Sequence, residues 1–266
     1  MTAFLPVTLD HRGRTLRGWQ LGSAVPAARG IDAPRATGPA ALLVHGFGST
    51  DTGGQQLFVQ TARALAERGI PARSYSRLGH GTSDGDFTDI TIGDEVDQVV
   101  AMIRALATDA DRPVHVVAHS LGAVESALAA ARVPELVATL TLWSPAGVVV
   151  DDIAEHDAIQ GQPLAPARQQ GWFDFGGMPL GTAFIDEVTA GLDVYASIER
   201  YTGPAQVLHG TADQIVPIDY GRRYGDQLPG ATFTAVDGAD HGWSSVPLRR
   251  MLLDRLVEFV GATTGR

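Results

Sequence analysis

A serine stands where two patterns meet. The run Val114-His-Val-Val-Ala118 is apolar and bounded, as a buried strand is, and Leu121 to Ala131 carries a helical pattern directly behind it. His119 and Ser120 lie between the two. A strand that turns at once into a helix puts its turning residue on a sharp, strained bend, with the side chain exposed above the sheet. Such a bend tolerates only small residues two positions to either side, and Ala118 and Gly122 satisfy it. Serine also suits a helix N-cap, where its oxygen accepts a free backbone N–H. A cap alone, however, has no need of Gly122.

A serine hydroxyl is a weak nucleophile at neutral pH. It needs an imidazole to take its proton and a carboxylate to orient that imidazole. Asp213 follows the apolar strand Ala205-Gln-Val-Leu208, in His209-Gly-Thr-Ala-Asp213, and His241 follows the strand Thr232 to Val236, in Gly238-Ala-Asp-His241. Both fall in loops at the carboxyl ends of strands, where ligands bind in open sheets. Asp240 is an unsuitable acid, because adjacent residues do not easily reach each other's ring nitrogen, so the expected set is Ser120, Asp213 and His241. An attacked carbonyl further requires N–H donors fixed in advance for the oxygen that gains charge. The backbone amides of Leu121 and of Phe47, in the turn His45-Gly-Phe-Gly48, are the expected donors.

Composition removes other chemistries. The 266 residues carry a net charge of −10, which argues against nucleic acid or an anionic membrane surface as partner, since phosphate binding needs a basic patch. All 20 basic residues are Arg, so lysine Schiff-base and general-base chemistry is excluded. With no Cys, disulfides, thiolate metal sites and a cysteine nucleophile are excluded too. The eight His show no ligand pairs spaced with carboxylates on one helix face, so no metal site is expected, and His80, His115, His119 and His209 are read as structural. The start of the chain has no basic region followed by an apolar stretch. No apolar run approaches the roughly 18 residues of a spanning helix. The expectation is a soluble, cytoplasmic protein.

The elements that must position these residues are legible as alternation. An N-terminal hairpin is expected over residues 4–9 and 14–21, then a connecting loop over 23–39 rich in Ala, Gly and Pro. Thereafter apolar strands (41–44, 72–75, 114–117, 136–143, 205–208) alternate with helical patterns (56–68, 92–107, 121–131, and 249–260 at the end). Short continuous apolar strands separated by helices imply a parallel sheet covered on both faces, an α/β fold in one domain. The stretch 150–193 breaks the rhythm with Gly176-Gly177 and with Trp172, Phe173 and Phe175, and is expected as an insertion over one end of the sheet, a cap.

Taken in order, His45-Gly-Phe-Gly, Gly79-His-Gly-Thr-Ser-Asp-Gly, Ala118-His-Ser-Leu-Gly122, Trp143-Ser-Pro-Ala146, His209-Gly-Thr-Ala-Asp213 and Gly238-Ala-Asp-His241 resemble the α/β-hydrolases from about residue 40 to 260. Within them the chain is most similar to bacterial cinnamoyl/feruloyl esterase-like serine hydrolases. The resemblance implies an eight-stranded, mostly parallel sheet flanked by helices, the triad Ser120–His241–Asp213, no cofactor, and an insertion that roofs an acyl pocket. It implies a small-molecule ester substrate, an aryl or hydroxycinnamoyl ester included. Asp152 and Trp243 are the expected substrate contacts. The chain departs from the subgroup at Ala118, at Leu121-Gly-Ala123 and at Ser76, and has no Tyr between 151 and 194 to meet an aryl hydroxyl. A thioesterase or a carbon–carbon bond hydrolase would use the same three residues. A ligand-binding homologue without turnover would keep only their fold. A homodimer is left open.

Overall fold

The structure is a computed structural model that describes residues 3–22 and 38–264. The loop expected over 23–39 falls almost wholly outside them. The chain opens with a hairpin of β1 (Leu5–His11) and β2 (Arg14–Leu21), joined by Arg12 and Gly13, both with positive φ as a tight hairpin turn requires. Then β3 (Ala41–Val44), α1 (Leu57–Ala66), β4 (Ala72–Ser76), α2 (Ile92–Ala110), β5 (Val114–His119), α3 (Leu121–Arg132) and β6 (Val137–Trp143) follow in strict alternation.

The next stretch is not a structureless loop. It contains α4 (Val148–Val150) running into a wider helical turn (Asp151–Glu155), then a hairpin of β7 (Ala158–Ile159) and β8 (Gln162–Pro163), and α5 (Ala165–Gln170). A second hairpin of β9 (Trp172–Phe175) and β10 (Met178–Gly181) leads to α6 (Thr182–Thr189). The alternation then resumes with β11 (Ala205–Gly210), α7 (Ile218–Gln227), β12 (Ala231–Val236) and α8 (Val246–Thr264).

Eight strands form one sheet in the order β1-β2-β4-β3-β5-β6-β11-β12. It is parallel from β4 to β12, with β1 and β2 added antiparallel at one edge. The central strands are buried on both faces, which is why they read as unbroken apolar runs. Side chains on a strand alternate sides, so neighbours in sequence enter different cores. Leu42 and Val116 join the cluster that holds Val99, Ile103 and Val124 of α2 and α3. Leu43 and Val117 join the opposite cluster, with Phe58 and Leu65 of α1 and Leu252 and Leu256 of α8.

The first cluster extends without a break into the segment after β6. Ile153, Ile159, Leu164, Phe173, Leu180, Phe184 and Ile185 belong to it. That segment therefore shares its apolar core with the sheet and has none of its own. Removing a buried leucine costs on the order of 2–5 kcal/mol through lost transfer energy and the cavity left behind. Leu180→Ala is accordingly expected to lower the stability of the whole chain by about that amount, in one transition seen alike by tryptophan fluorescence and far-UV circular dichroism. Two separated transitions in urea would show the segment to be an independent unit.

Candidate active site

Ser120 occupies the bend between β5 and α3 with φ 59° and ψ −127°. Its backbone is pinned from the end of β6 and the turn after it: the Ser120 N–H donates to the Trp143 carbonyl at 2.9 Å, and the Ala146 N–H donates to the Ser120 carbonyl at 3.2 Å. Sterics explain the small residue two places on. A Cβ at Gly122 would stand 2.1 Å from the His45 carbonyl oxygen, so only glycine lets α3 start this close to the end of β3. A Cβ at Gly46 would likewise meet the Ser120 side chain, 2.8 Å from its Cβ and 3.3 Å from its Oγ. The His45-Gly-Phe-Gly48 turn thus runs directly alongside the serine hydroxyl.

The two later loops bring the remaining groups. His241 Nε2 lies 2.9 Å from Ser120 Oγ, and His241 Nδ1 lies 2.8 Å from Asp213 Oδ2. The loops that carry Asp213 and His241 are laced together, with Thr211 N–H donating to the Val236 carbonyl at 2.9 Å and Ala212 N–H to the Ala239 carbonyl at 3.0 Å. Asp213 does not cap α7; the N-cap there is Pro217, with no side-chain hydrogen bond. Its Oδ1 accepts the N–H groups of Ile215 and Val216 at 2.9 and 2.8 Å, while Oδ2 faces His241 and, at 3.2 Å, His209. Burial works against its charge, but hydrogen bonds from His209, His241 and the Val216 amide outweigh that, and its pKa is held well below the ordinary carboxylate value. Asp240 instead accepts the Ser244 N–H at 2.7 Å, turned to its own loop.

Arg249 on α8 secures the His241 loop from behind. It donates to the carbonyls of Trp243, Gly242 and Gln55 at 2.9, 2.8 and 2.8 Å. His119 adds a second tie, with Nε2 2.8 Å from the His241 carbonyl oxygen; a carbonyl can only accept, so that nitrogen carries the proton. Burial, with the nearby His241, brings the His119 pKa down to about 3, so it stays neutral beside the imidazole. Neither Arg249 nor His209 was legible as part of the site, because each acts through another residue's loop or carboxylate.

Ser120 opens onto two spaces. One is a small, mostly apolar cavity of about 50 Å³, walled by Phe47, Leu121, Val149, Ile159, Phe184 and Val216 among others, with Asp152 and Gln160 among its polar members. The other is an open cleft of about 560 Å³, lined by polar groups including Ser49, Gln55, Gln214, Asp240, His241 and Ser244. Phe47 and Leu121 both face the first space next to Ser120, and Leu121 begins α3, so its N–H has no acceptor within the helix. Asp152 also accepts the Gln160 N–H at 3.2 Å. Trp243 requires a correction. Its ring is fully buried in the core with Phe58, Trp143 and Leu252 and is absent from the walls of both spaces. Positive φ at Trp243 reverses the chain just after His241 and places the large apolar ring in the core.

A hydroxyl, an imidazole and a buried carboxylate in line can generate an alkoxide-like nucleophile. Residues 41–252 match the alpha/beta hydrolase family, and the chain belongs to that family. A non-heme chloroperoxidase, CPO-A1, from Kitasatospora aureofaciens is 25% identical over 237 residues, covering 74% of this chain and 85% of that protein. A 2-(acetamidomethylene)succinate hydrolase from Mesorhizobium japonicum is 32% identical over 103 residues, which are 39% of this chain and 34% of the relative. Among solved structures, Est1E from Butyrivibrio proteoclasticus with bound ferulic acid aligns with TM-score 0.84 at 21% identity, covering 98% of this chain and all of that one. Mouse alpha/beta hydrolase domain-containing protein 10 aligns with TM-score 0.73 at 19% identity over 98% and 99% of the two chains. At these identities the structures share the fold.

The lowered pKa of Asp213 has a stability consequence. Its ionised form contributes stability that is fully present above the ordinary value of 3.8 and drains away as the pH falls from there toward the lowered native value. Asp213→Asn removes that dependence, so its thermal midpoint should fall less steeply than the wild type's between about pH 4 and pH 2. Parallel curves would mean that Asp213 is not held in its charged form by the fold.

Proposed function

We propose that this protein hydrolyses carboxylic esters through an acyl-enzyme on Ser120. The observation that carries the reading is the unbroken relay from Ser120 Oγ through His241 to Asp213, at 2.9 and 2.8 Å, set between an apolar cavity and a polar cleft. His241 Nε2 takes the Ser120 proton as Oγ bonds to the acyl carbon, and Asp213 holds the Nδ1 proton and stabilises the imidazolium. The carbonyl oxygen becomes an oxyanion, met by the backbone amides of Phe47 and Leu121. The oxyanion collapses, the bond to the alcohol breaks, and His241 gives its proton to the departing oxygen. Water then enters, loses a proton to His241, attacks the acyl carbon, and releases the acid as the proton returns to Ser120.

The lining supports a particular arrangement of the two halves of the ester. The departing alcohol must lie within reach of His241, which lines the open cleft and not the apolar cavity. The acyl group then takes the cavity, whose apolar walls and volume of about 50 Å³ suit a short acyl chain, with Asp152 and Gln160 available to a polar substituent. An aryl or hydroxycinnamoyl group, like the ferulic acid bound to the fold-mate Est1E, requires the cavity to widen. In this reading the chain is one domain, and residues 150–193 are its cap, contributing Asp152, Ile159, Gln160 and Phe184 to the cavity wall.

Disabling a serine nucleophile of this kind costs on the order of 10⁴–10⁶ in turnover. Ser120→Ala should lose that much on p-nitrophenyl acetate and butyrate while remaining folded, and a fluorophosphonate probe should label the wild type at Ser120 alone. Wild-type turnover in the folded variant refutes the assignment. Comparing esters with acyl-thioesters and vinylogous diketones tests the bond class, and slower turnover of the esters than of either alternative would move the assignment to that bond.

A further inference from the structure

Behind the His45-Gly-Phe-Gly48 turn, on the side away from Ser120, lies a set of ionisable groups that the hydrolytic cycle does not touch. Arg77, Glu95 and Glu125 have no exposure to solvent. Arg77 Nε is 2.7 Å from Glu95 Oε1 on α2 and 3.3 Å from Glu125 Oε2 on α3. Its remaining nitrogens are directed at the turn: Nη1 donates to the His45 carbonyl at 2.6 Å and Nη2 to the Gly46 carbonyl at 3.4 Å. The His45 ring completes the arrangement. Its Nε2 accepts the Arg77 backbone N–H at 3.1 Å, and its Nδ1 therefore carries the proton that it donates to the Gly46 carbonyl at 2.8 Å.

The Gly46 carbonyl belongs to the same peptide unit as the Phe47 N–H. In a trans peptide the C=O and N–H point in opposite directions. The Gly46 oxygen also accepts the Ser49 N–H at 3.3 Å within the turn, and together these three donors fix the direction of the peptide, with the Phe47 N–H turned to the side on which Gly46 abuts Ser120. A cation on the carbonyl also polarises the peptide and strengthens its N–H as a donor, because hydrogen bonds in a chain reinforce each other. Glu125 sits one helical turn beyond Leu121, so the same guanidinium ties the helix that supplies the second amide to the turn that supplies the first.

We propose that Arg77 is a positioning residue for the oxyanion site, orienting and polarising the Phe47 amide through the His45 and Gly46 carbonyls and held in place by Glu95 and Glu125. The charge balance supports it. Two carboxylates facing one guanidinium out of water cannot both stay ionised; burial drives the Glu125 pKa far up, whereas Arg77 keeps Glu95 ionised. The Glu125 proton is then shared with Glu95, which gives a partner to carboxyl oxygens that otherwise have none, and the set is electrically neutral. A buried pair of this kind adds little net stability over apolar packing, so its worth lies in where it holds the backbone.

The inference rests on the acyl-enzyme reading, and its test separates the two. Arg77→Lys keeps a cation but loses the fork that spans two carbonyls. The double variant Arg77→Met/Glu95→Gln removes the charges as a balanced pair should the lysine variant fail to fold. With active sites counted by fluorophosphonate titration, kcat on p-nitrophenyl butyrate should fall about 10²-fold, the scale of a displaced oxyanion donor, with KM within about twofold. The affinity of butylboronic acid, whose adduct with Ser120 places an oxygen in the oxyanion site, should fall in parallel, while that of butyrate should hold. A purely structural role would reduce the titrated sites and leave kcat per site at the wild-type value; that result overturns the inference while Ser120→Ala remains inactive. Wild type that neither labels nor turns over would instead overturn the acyl-enzyme reading, and this inference with it.

Discussion

At φ 59° and ψ −127°, Ser120 holds a backbone conformation that a residue with a side chain adopts at a cost of about 1–3 kcal/mol. Every other feature of the cleft is arranged around that bend. Trp143 at the end of the adjacent strand and Ala146 in the turn after it hold its peptide groups, and the bare face of Gly122 lets the following helix begin against the His45 carbonyl. The bend persists because the strand before it and the helix after it are among the most deeply buried elements of the chain. Relaxing it would require the core of the sheet to move.

A second regularity is how the loops around the bend are restrained. They are rich in glycine and present carbonyl oxygens to the interior, where an unpaired acceptor is costly. Two arginines answer this, Arg77 within the loop after β3 and Arg249 between that loop and the His241 loop. Arg77 takes the carbonyls of His45 and Gly46, and Arg249 those of Gln55, Gly242 and Trp243. A planar guanidinium suits the task because its several N–H groups diverge and can span neighbouring peptides, which a lysine ammonium on a flexible stem does less well. The charges are offset differently: Arg77 has two buried carboxyls in contact, whereas Arg249, also buried, has only the attraction of Asp240 to set against its desolvation.

Much of this was legible in the sequence, for identifiable reasons. The central strands read as unbroken apolar runs because helices cover both faces of a parallel sheet. Ser120, Asp213 and His241 can be picked out by the order of strand ends, and the fold brings all three within hydrogen-bond reach. The hairpins after β6 were obscured because their strands span only two to four residues, too short for a period to register. The turn pair Gly176-Gly177, with φ 58° and 90°, was the signal available for one of them. Trp243 was misjudged because an aromatic beside the general-base position looks like a substrate wall, and nothing local says that a positive φ turns it inward. Arg77, Arg249 and His209 were invisible because their partners lie on other elements or in contacts that only the fold creates.

Gln160 stands at the tip of the β7–β8 hairpin and borders both spaces that meet at Ser120. That placement divides the cleft into an apolar side and a polar side, with consequences for traffic through the proposed cycle. In that cycle the alcohol fragment leaves by the polar side while its acyl partner is still bonded to Ser120, so the two products depart in a fixed sequence. Water for the second half-reaction would arrive along the path the alcohol has just vacated, beside His241, which lines it. A second alcohol retained on that path would compete with water for the same acyl carbon, and the balance between hydrolysis and transfer would then be set by the occupancy of the polar side.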